Sequence, residues 1–220
     1  MNSPIVPAII PQSYEDLVSA VAVFSSLPEI HVDVVDGVFV DSLSWPYNND
    51  AIPAQALHLL ERFSLEVDLM VEDQLGAAAA WLGAGADQLV FHIEVLSLPA
   101  FLQFVTTHAV TVGVSAGNDT PLPTLYPYLK EADYVQLMGI ANIGSQGQSF
   151  DTRVLERITQ IRTDFPNLPI SIDGSVNAET INILAPLKLH RLIVGSAIIG
   201  SKEPLASYHA LNELLRSQQG

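Results

Sequence analysis

Short apolar segments alternate with longer amphipathic segments along the whole chain. The apolar segments are rich in Val, Ile and Leu, which is typical of strands buried in a parallel sheet. They span residues 5–10, 30–35, 65–71, 88–93, 110–115, 134–140, 170–173 and 191–196. Between them, apolar residues recur at helical spacing, for example over residues 14–24, 74–82, 151–162 and 178–184. The pattern therefore predicts strands and helices in regular alternation.

Eight such units in 220 residues predict a closed (β/α)8 barrel, the TIM-barrel form of the α/β class. We expect one domain over residues 1–220, because no segment has the composition of a linker. The main alternative is an open doubly wound sheet. Residues 9–14, which follow the first strand, contain no glycine and so lack the Gly-x-Gly-x-x-Gly motif of a dinucleotide-binding sheet. The closed barrel is favoured.

Charge and composition restrict the partners. The net charge of -15 would repel nucleic acid and anionic membrane surfaces. No apolar run approaches the roughly 18 residues that a membrane-spanning helix requires. Residues 1–4 lack the features of a secretory signal, and there are no cysteines. We therefore expect a cytoplasmic protein that binds neither nucleic acid nor membrane, and that holds any phosphate mainly through backbone amides and helix N-termini.

Ionisable residues interrupt the apolar strands. His31 and Asp33 lie two residues apart on the second strand, so their side chains share one face. Asp68 lies in the third strand and Asp173 ends the seventh. Burying a carboxylate is costly, and an active site or a metal is the commonest reason for it. Because barrel active sites form where the strands end, we expect these four residues to meet at one mouth.

Other polar positions have structural interpretations. Asp36 precedes a glycine and is typical of a turn or cap residue. His92 taken alone fits a hydrogen-bonded core histidine, and Glu94 fits a strand end that faces solvent. Small-residue loops follow strands six and eight, where backbone amides could approach an anion closely.

The motifs in this order resemble the ribulose-phosphate 3-epimerase family from about residue 5 to residue 204. They are His-Val-Asp-Val-Val-Asp-Gly at 31–37, Asp-Leu-Met-Val-Glu at 68–72, Gly-Ala-Gly-Ala-Asp at 83–87, Phe-His-Ile-Glu at 91–94, Thr-Pro-Leu at 120–122, Ile-Asp-Gly at 172–174 and Val-Gly-Ser-Ala-Ile at 194–198. The resemblance implies a (β/α)8 barrel that inverts carbon 3 of a phosphorylated ketose, such as ribulose 5-phosphate to xylulose 5-phosphate. We also expect a homo-oligomer.

The resemblance also implies residue roles. Removing the proton beside the ketone creates an enediolate, which requires an acid and a base on opposite faces and positive charge at the oxygens. Asp33 and Asp173 would transfer the protons. His31, Asp33, Asp68 and Asp173 would hold a divalent metal that acts as a Lewis acid. The implied substrate and phosphate contacts are Met70, Met138, Gly144, Gly147, Gly174, Gly195 and Ser196.

The chain departs from the family pattern around this site. Asp68 stands where the family has His, and three carboxylates with one imidazole shift the preference from Zn toward Mn, Fe or Mg. Ala8 replaces a serine, and Val35 a methionine. The loop at 142–148 reads Asn-Ile-Gly-Ser-Gln-Gly-Gln instead of Asn-Pro-Gly-Phe-Gly-Gly-Gln. Residues 115–118 and Ser175 also differ from the family pattern.

Two other functions compete with the epimerase. A phosphate-binding decarboxylase of similar fold would carry Asp-x-Lys-x-x-Asp on the third strand, but residues 66–71 contain no lysine. A non-catalytic phosphosugar-binding or scaffold protein descended from the epimerase barrel would keep Gly195 and Ser196 and tolerate changes among the metal ligands. Asp68 is the residue that keeps this second alternative open.

Overall fold

The computed structural model describes residues 4–48, 52, 59–144 and 147–219. In these residues eight parallel strands close into a barrel in chain order, with β1 paired to both β2 and β8. The strands are β1 (Ile5–Ile9), β2 (Glu29–Val35), β3 (Ser64–Met70), β4 (Gln88–His92), β5 (Thr111–Ala116), β6 (Tyr134–Met138), β7 (Ile170–Asp173) and β8 (Arg191–Val194). The predicted (β/α)8 barrel is confirmed, and no strand end differs from its predicted position by more than two residues.

Among the described residues, helices follow most of the strands and cover the outside of the barrel. They are α1 (Tyr14–Val23), α2 (Gln74–Gly83), α3 (Leu98–Thr107), α4 (Leu122–Leu129), α5 (Arg153–Asp164), α6 (Ala178–Leu184), α7 (Ser196–Ile199) and α8 (Pro204–Gln219), with a 3-10 turn at Ala185–Leu187. Side chains of Ser13, Asp73 and Asn177 accept hydrogen bonds from backbone N–H groups at the starts of α1, α2 and α6. These caps satisfy backbone donors that the helices leave free.

The main hydrophobic core lies between the sheet and the helices. Alternate strand residues such as Val32 and Val34 of β2 face outward into it, together with buried aromatic residues of the helices and loops such as Trp81 and Phe101. This alternation follows from the period of two in a strand, which sends successive side chains to opposite faces. The outer face of the sheet is therefore uniformly apolar.

The inner face of the barrel is largely polar. Bulky aliphatic residues usually fill a barrel of this kind. Here, aliphatic residues are a minority among the described inward positions, and three of them, Val6, Ala8 and Ile193, form a small separate cluster. The buried polar side chains are His31, Asp33, Ser44, Glu66, Asp68, Gln74, His92, Ser115, Gln136, Arg157, Ser171, Thr180, Arg191 and Asn212, most of them on strands. A network of hydrogen bonds inside the barrel thus takes the place of an aliphatic core.

In the described part of the chain, no helix combines the length and the hydropathy that crossing a membrane would require.

Candidate active site

A cavity of about 330 Å³ opens where the strands end. Asp33 and Asp173 both line it, from β2 and β7. The residues expected to contact substrate and phosphate line it as well, namely Met70, Met138, Gly144, Gly147, Gly174, Gly195 and Ser196. No Lys or Arg occurs among the described residues of its wall. The residues predicted to bind metal or substrate therefore share one cavity, apart from His31 and Asp68, which are fully buried.

A group of three possible metal ligands lies at the inner end of this cavity. His31, Asp33 and Asp68 each offer one ligand atom, and these atoms lie within 4.8 Å of one another. The backbone places them there, because Asp33 and Asp68 are register partners on β2 and β3. The fourth expected ligand, Asp173, lies outside this group and faces the cavity from β7.

His31 lies between two carboxylates. Its Nδ1 is 2.6 Å from Oε1 of Glu66, and its Nε2 is 2.9 Å from Oδ1 of Asp33. Burial alone would lower the pKa of His31, but Asp33 and then Glu66 outweigh it and raise this pKa well above its usual value. Metal-binding histidines commonly donate their second ring N–H to a carboxylate. The Glu66 contact supplies that arrangement, so His31 fits a metal ligand that binds through Nε2.

Asp68 receives hydrogen bonds at both carboxylate oxygens. His92 Nε2 is 2.9 Å from Oδ1, and the Gln136 amide donates to Oδ2 over 2.8 Å. Burial would lower the pKa of His92, but Asp68 raises it more, and the net shift is upward. Within the described residues, His92 Nδ1, Gln136 Oε1 and Ser115 Oγ are buried without a hydrogen-bond partner. Asp68 is thus held by an imidazole and an amide rather than by Lys or Arg.

The two aspartates that line the cavity have raised pKa values. For Asp173, burial and then the charge of Asp33 raise the pKa well above its usual value. For Asp33, burial raises the pKa, and the contact with His31 offsets part of this rise. Two carboxyl groups that face one cavity and repel each other's charge favour a state in which one of them is protonated. Such a pair can serve as acid and base at the same pH.

Asp36 and Glu94 have the structural roles that their positions predict. Oδ1 of Asp36 accepts hydrogen bonds from the backbone of Val38 and Phe39, and Oδ2 accepts one from Glu72 N. Glu94 is exposed and caps the loop after β5 through Gly117 N. Neither lines the cavity.

The loops at the mouth depend on unusual backbone conformations. Gly174 has a φ of 95° and Ser175 a φ of 56°, both in the left-handed region that favours glycine. Gly144, with a φ of 79°, packs closely against Val40 and accepts a hydrogen bond of 2.6 Å from Ser42. Ser145 and Gln146, which the sequence places in the phosphate-side loop, lie outside the described residues.

Sequence reasoning did not single out Glu66 and Gln136 as site residues. Each lies two positions before a residue that it did single out, Asp68 on β3 and Met138 on β6. The period of two along a strand was therefore the signal that could have found both.

Comparison with known proteins agrees with this geometry. Residues 4–199 match the family described as "Ribulose-phosphate 3 epimerase family". The ribulose-phosphate 3-epimerase of Mycobacterium leprae (strain TN) is 30% identical over 217 residues, which cover 96% of this chain and 94% of the relative. The cytoplasmic isoform from Oryza sativa subsp. japonica is 28% identical over 194 residues, covering 86% of this chain and 83% of the relative.

Solved structures with similar folds include two decarboxylases. The 3-keto-L-gulonate-6-phosphate decarboxylase from Vibrio cholerae has a TM-score of 0.68 at 15% identity, with 99% of each chain covered. Orotidine 5'-monophosphate decarboxylase from Sulfolobus solfataricus has a TM-score of 0.66 at 17% identity, with 99% of each chain covered. At these identities the similarity establishes the barrel fold alone.

Proposed function

The chain belongs to the ribulose-phosphate 3-epimerase family, and we propose that it inverts carbon 3 of ribulose 5-phosphate or a related phosphorylated ketose with the help of a divalent metal. Membership of the family makes it an enzyme of the isomerase class. The main support for the proposed epimerisation is that Asp33 and Asp173 line one cavity from β2 and β7, and that both have raised pKa values. A cytoplasmic location, which the name of the rice relative states for that protein, belongs to the same proposal.

Asp33 and Asp173 divide the proton transfers between them. One takes the proton from carbon 3, and the electron pair of that C–H bond passes to the carbonyl oxygen to form an enediolate. The other gives a proton to the opposite face of carbon 3 as the carbonyl re-forms. Each turnover leaves the protonation of the pair reversed, and proton exchange with solvent restores the starting state before the next substrate molecule reacts. This scheme requires one protonated and one ionised carboxyl group, the state that the raised pKa values favour in the metal-free protein.

His31, Asp33 and Asp68 are the proposed metal ligands, with Asp173 as a fourth. The donor set fits a cation because its atoms converge within 4.8 Å and His31 has an outer carboxylate partner in Glu66. A bound divalent cation would supply positive charge beside the substrate oxygens and favour the enediolate. Carboxylate oxygens outnumber nitrogen donors, so we expect the preference to shift from Zn toward Mn, Fe or Mg, compared with a site that has two histidines.

The phosphate is proposed to bind at the opposite side of the cavity, near Gly144, Gly147, Gly174, Gly195 and Ser196. These residues leave backbone N–H groups accessible to a ligand because their side chains are small or absent. The cavity wall described here contains no Lys or Arg, which supports a phosphate site made of backbone amides. Arg153 lies outside the cavity and bonds to Asp151 and Asp119.

Hydrogen exchange at carbon 3 tests this function directly. Purified protein is stripped of metal, reloaded separately with Mn, Fe, Mg or Zn, and incubated with ribulose 5-phosphate in deuterium oxide. We expect deuterium at carbon 3 and formation of xylulose 5-phosphate, both observed by NMR. Arg153→Ala is the matched control and should exchange at the rate of the wild-type protein.

Absence of exchange with every metal and with several ketose phosphates would refute the epimerase proposal. Tight binding of a ketose phosphate without exchange would instead identify the non-catalytic sugar-phosphate protein, since that alternative keeps the phosphate loops but not the chemistry.

A further inference from the structure

Arg191 is a buried cation at the end of the barrel opposite the cavity. It is the first residue of β8, and its side chain is 6% exposed. One guanidinium nitrogen donates to Oε1 of Glu29 over 2.6 Å and to the Gln88 amide oxygen over 3.1 Å. Its other terminal nitrogen donates to Oε2 of Glu66. The guanidinium carbon also lies 4.7 Å from the centroid of the Tyr134 ring.

Glu66 connects this end of the barrel to the candidate metal ligands. Its Oε2 accepts hydrogen bonds from both Arg191 and the Tyr134 hydroxyl. Its Oε1 is 2.6 Å from Nδ1 of His31, whose Nε2 in turn contacts Asp33. Glu66 and His31 are completely buried. An unbroken chain of hydrogen bonds therefore runs through the interior of the barrel from Arg191 to the wall of the cavity.

We infer that Arg191 and Tyr134 are positioning residues for the metal centre and act on His31 through Glu66. A carboxylate can rotate about its terminal bond unless both oxygens are held. Two donors on Oε2 leave Oε1 facing His31, and this contact sets the orientation of the imidazole and the direction of Nε2. The inference rests on the proposed function, because it concerns the ligand set of that site.

Structural stability alone is a poor explanation of this network. Replacing a buried ion pair with well-packed apolar side chains is often neutral or stabilising. Barrels of this type are ordinarily filled with Val, Ile and Leu at these inward positions. The network also aims one carboxylate at a single ring nitrogen rather than only neutralising charge. Its geometry is therefore better explained by control of His31 than by stabilisation of the fold.

The test compares Mn²⁺ affinity, catalysis and melting temperature in a set of variants. Mutation of outer partners of metal ligands typically costs about 10–100-fold in affinity. We expect a loss of that order in Arg191→Met and a smaller loss of about 3–10-fold in Tyr134→Phe, because that variant keeps the charged donor, Arg191, on Glu66. The KM for the ketose phosphate, measured at saturating Mn²⁺, should stay unchanged because neither residue lines the cavity.

Two further variants separate positioning from general destabilisation. Arg157→Met removes another buried arginine, one that donates to the backbone oxygens of Asn118 and Thr120 and not to Glu66. It should lower the melting temperature but leave the Mn²⁺ affinity of the folded protein unchanged. In a Glu66→Gln background, Arg191→Met should cause no further loss of Mn²⁺ affinity, because its route to His31 is already broken.

The inference is overturned if folded Arg191→Met binds Mn²⁺ as tightly as the wild type, or if its effect adds fully to that of Glu66→Gln. Should Arg191→Met fail to fold, wild-type affinity in Tyr134→Phe overturns the inference instead. If the wild-type protein neither binds Mn²⁺ nor exchanges the hydrogen at carbon 3, the proposed function itself is refuted. That result is seen in the wild type and is therefore distinct from the outcomes in the variants.

Discussion

Two buried histidine–aspartate pairs lie in the barrel, and they differ in what surrounds them. In both, a histidine Nε2 lies 2.9 Å from an aspartate Oδ1, in His31–Asp33 and in His92–Asp68. The second ring nitrogen of His31 is held by Glu66, whereas Nδ1 of His92 has no partner among the described residues. Asp33 lines the cavity, whereas Asp68 is fully buried.

From this difference we expect the His31 pair to be rigid and the His92 pair to be adaptable. In the His31 pair, Nδ1 of the imidazole contacts Glu66, which in turn accepts a hydrogen bond from Arg191. The His92 pair is bordered by buried polar atoms of Gln136 and Ser115 that have no partner in the described structure. These hydroxyl and amide groups have unused hydrogen-bonding capacity and can pair with a new side chain at residue 68. Substitutions at Asp68 should therefore be tolerated better than substitutions at Asp33.

The largest effect is expected from removing the carboxylates that transfer protons. General acid–base catalysis contributes about 10²–10⁴-fold to a rate, so Asp33→Asn and Asp173→Asn should each slow exchange at carbon 3 by that order. Asp68→Asn should lower metal affinity by about 10–100-fold, taking the cost of altered metal-site contacts as a guide, and should exchange faster than either at saturating metal. Circular dichroism provides the control for folding. Near-normal exchange in Asp33→Asn or Asp173→Asn would disprove the two-aspartate assignment.

A smaller effect is expected from Asp68→His, which alters the metal preference of the adaptable pair. Imidazole is a better ligand for Zn²⁺ than for Mg²⁺. We expect Zn²⁺ affinity to rise by about 10-fold, or about 1.4 kcal/mol, while Mg²⁺ affinity falls. Competition with a fluorescent chelator measures both. Glu72→His, at an exposed position beyond the end of β3, is the matched control and should leave both affinities unchanged. Unchanged Zn²⁺ binding in Asp68→His would place residue 68 outside the ligand set.

The smallest effect concerns the stability of the metal-free protein as a function of pH. The pKa of His31 is raised well above its usual value and that of His92 is raised. Stability from a raised histidine pKa is complete below the unfolded value of about 6.5 and is lost as pH rises through the folded pKa. With chelator present, the melting temperature should therefore fall as pH rises above about 6.5. Both variants should show a smaller fall in melting temperature as pH rises. The fall should be smaller in His31→Gln than in His92→Gln, by about 2–4 °C. Equal slopes in the two variants would remove the proposed difference between the pairs.

The strands and the cavity could be predicted from the sequence because both depend on local information. Apolar runs such as that of β2 end in turn residues, and parallel strands bring their carboxyl ends to one mouth. Asp33, Asp173 and the glycine loops therefore needed only the strand order and the family motifs to be placed at one cavity. The placement in the structure agrees with that expectation, and the roles of these residues stay predictions.

The polar network could not be predicted because it depends on which side chains meet inside the barrel. Glu66 and Arg191 are 125 residues apart, and neither belongs to a recognisable motif. Gln136 lies in an apolar run where inward positions are ordinarily aliphatic. Its amide reaches Asp68, 68 residues away in the sequence, because the registers of successive strands from β3 to β6 place both side chains at the same level inside the barrel. Long-range side-chain contacts of this kind leave no periodic signal in the chain.

The position of Arg191 on the last strand has a consequence for how the protein folds as it is synthesised. Glu29 and Glu66 leave the ribosome long before the arginine that pairs with both of them, which follows 162 and 125 residues later, respectively. Until β8 is added, closing the sheet would bury Glu66 without this cation, at a cost of several kcal/mol for that charge. We therefore expect closure of the barrel and neutralisation of Glu66 to occur together, late in synthesis. We expect nascent chains that end before residue 191 to remain open to solvent and to chaperones rather than to form a stable partial barrel.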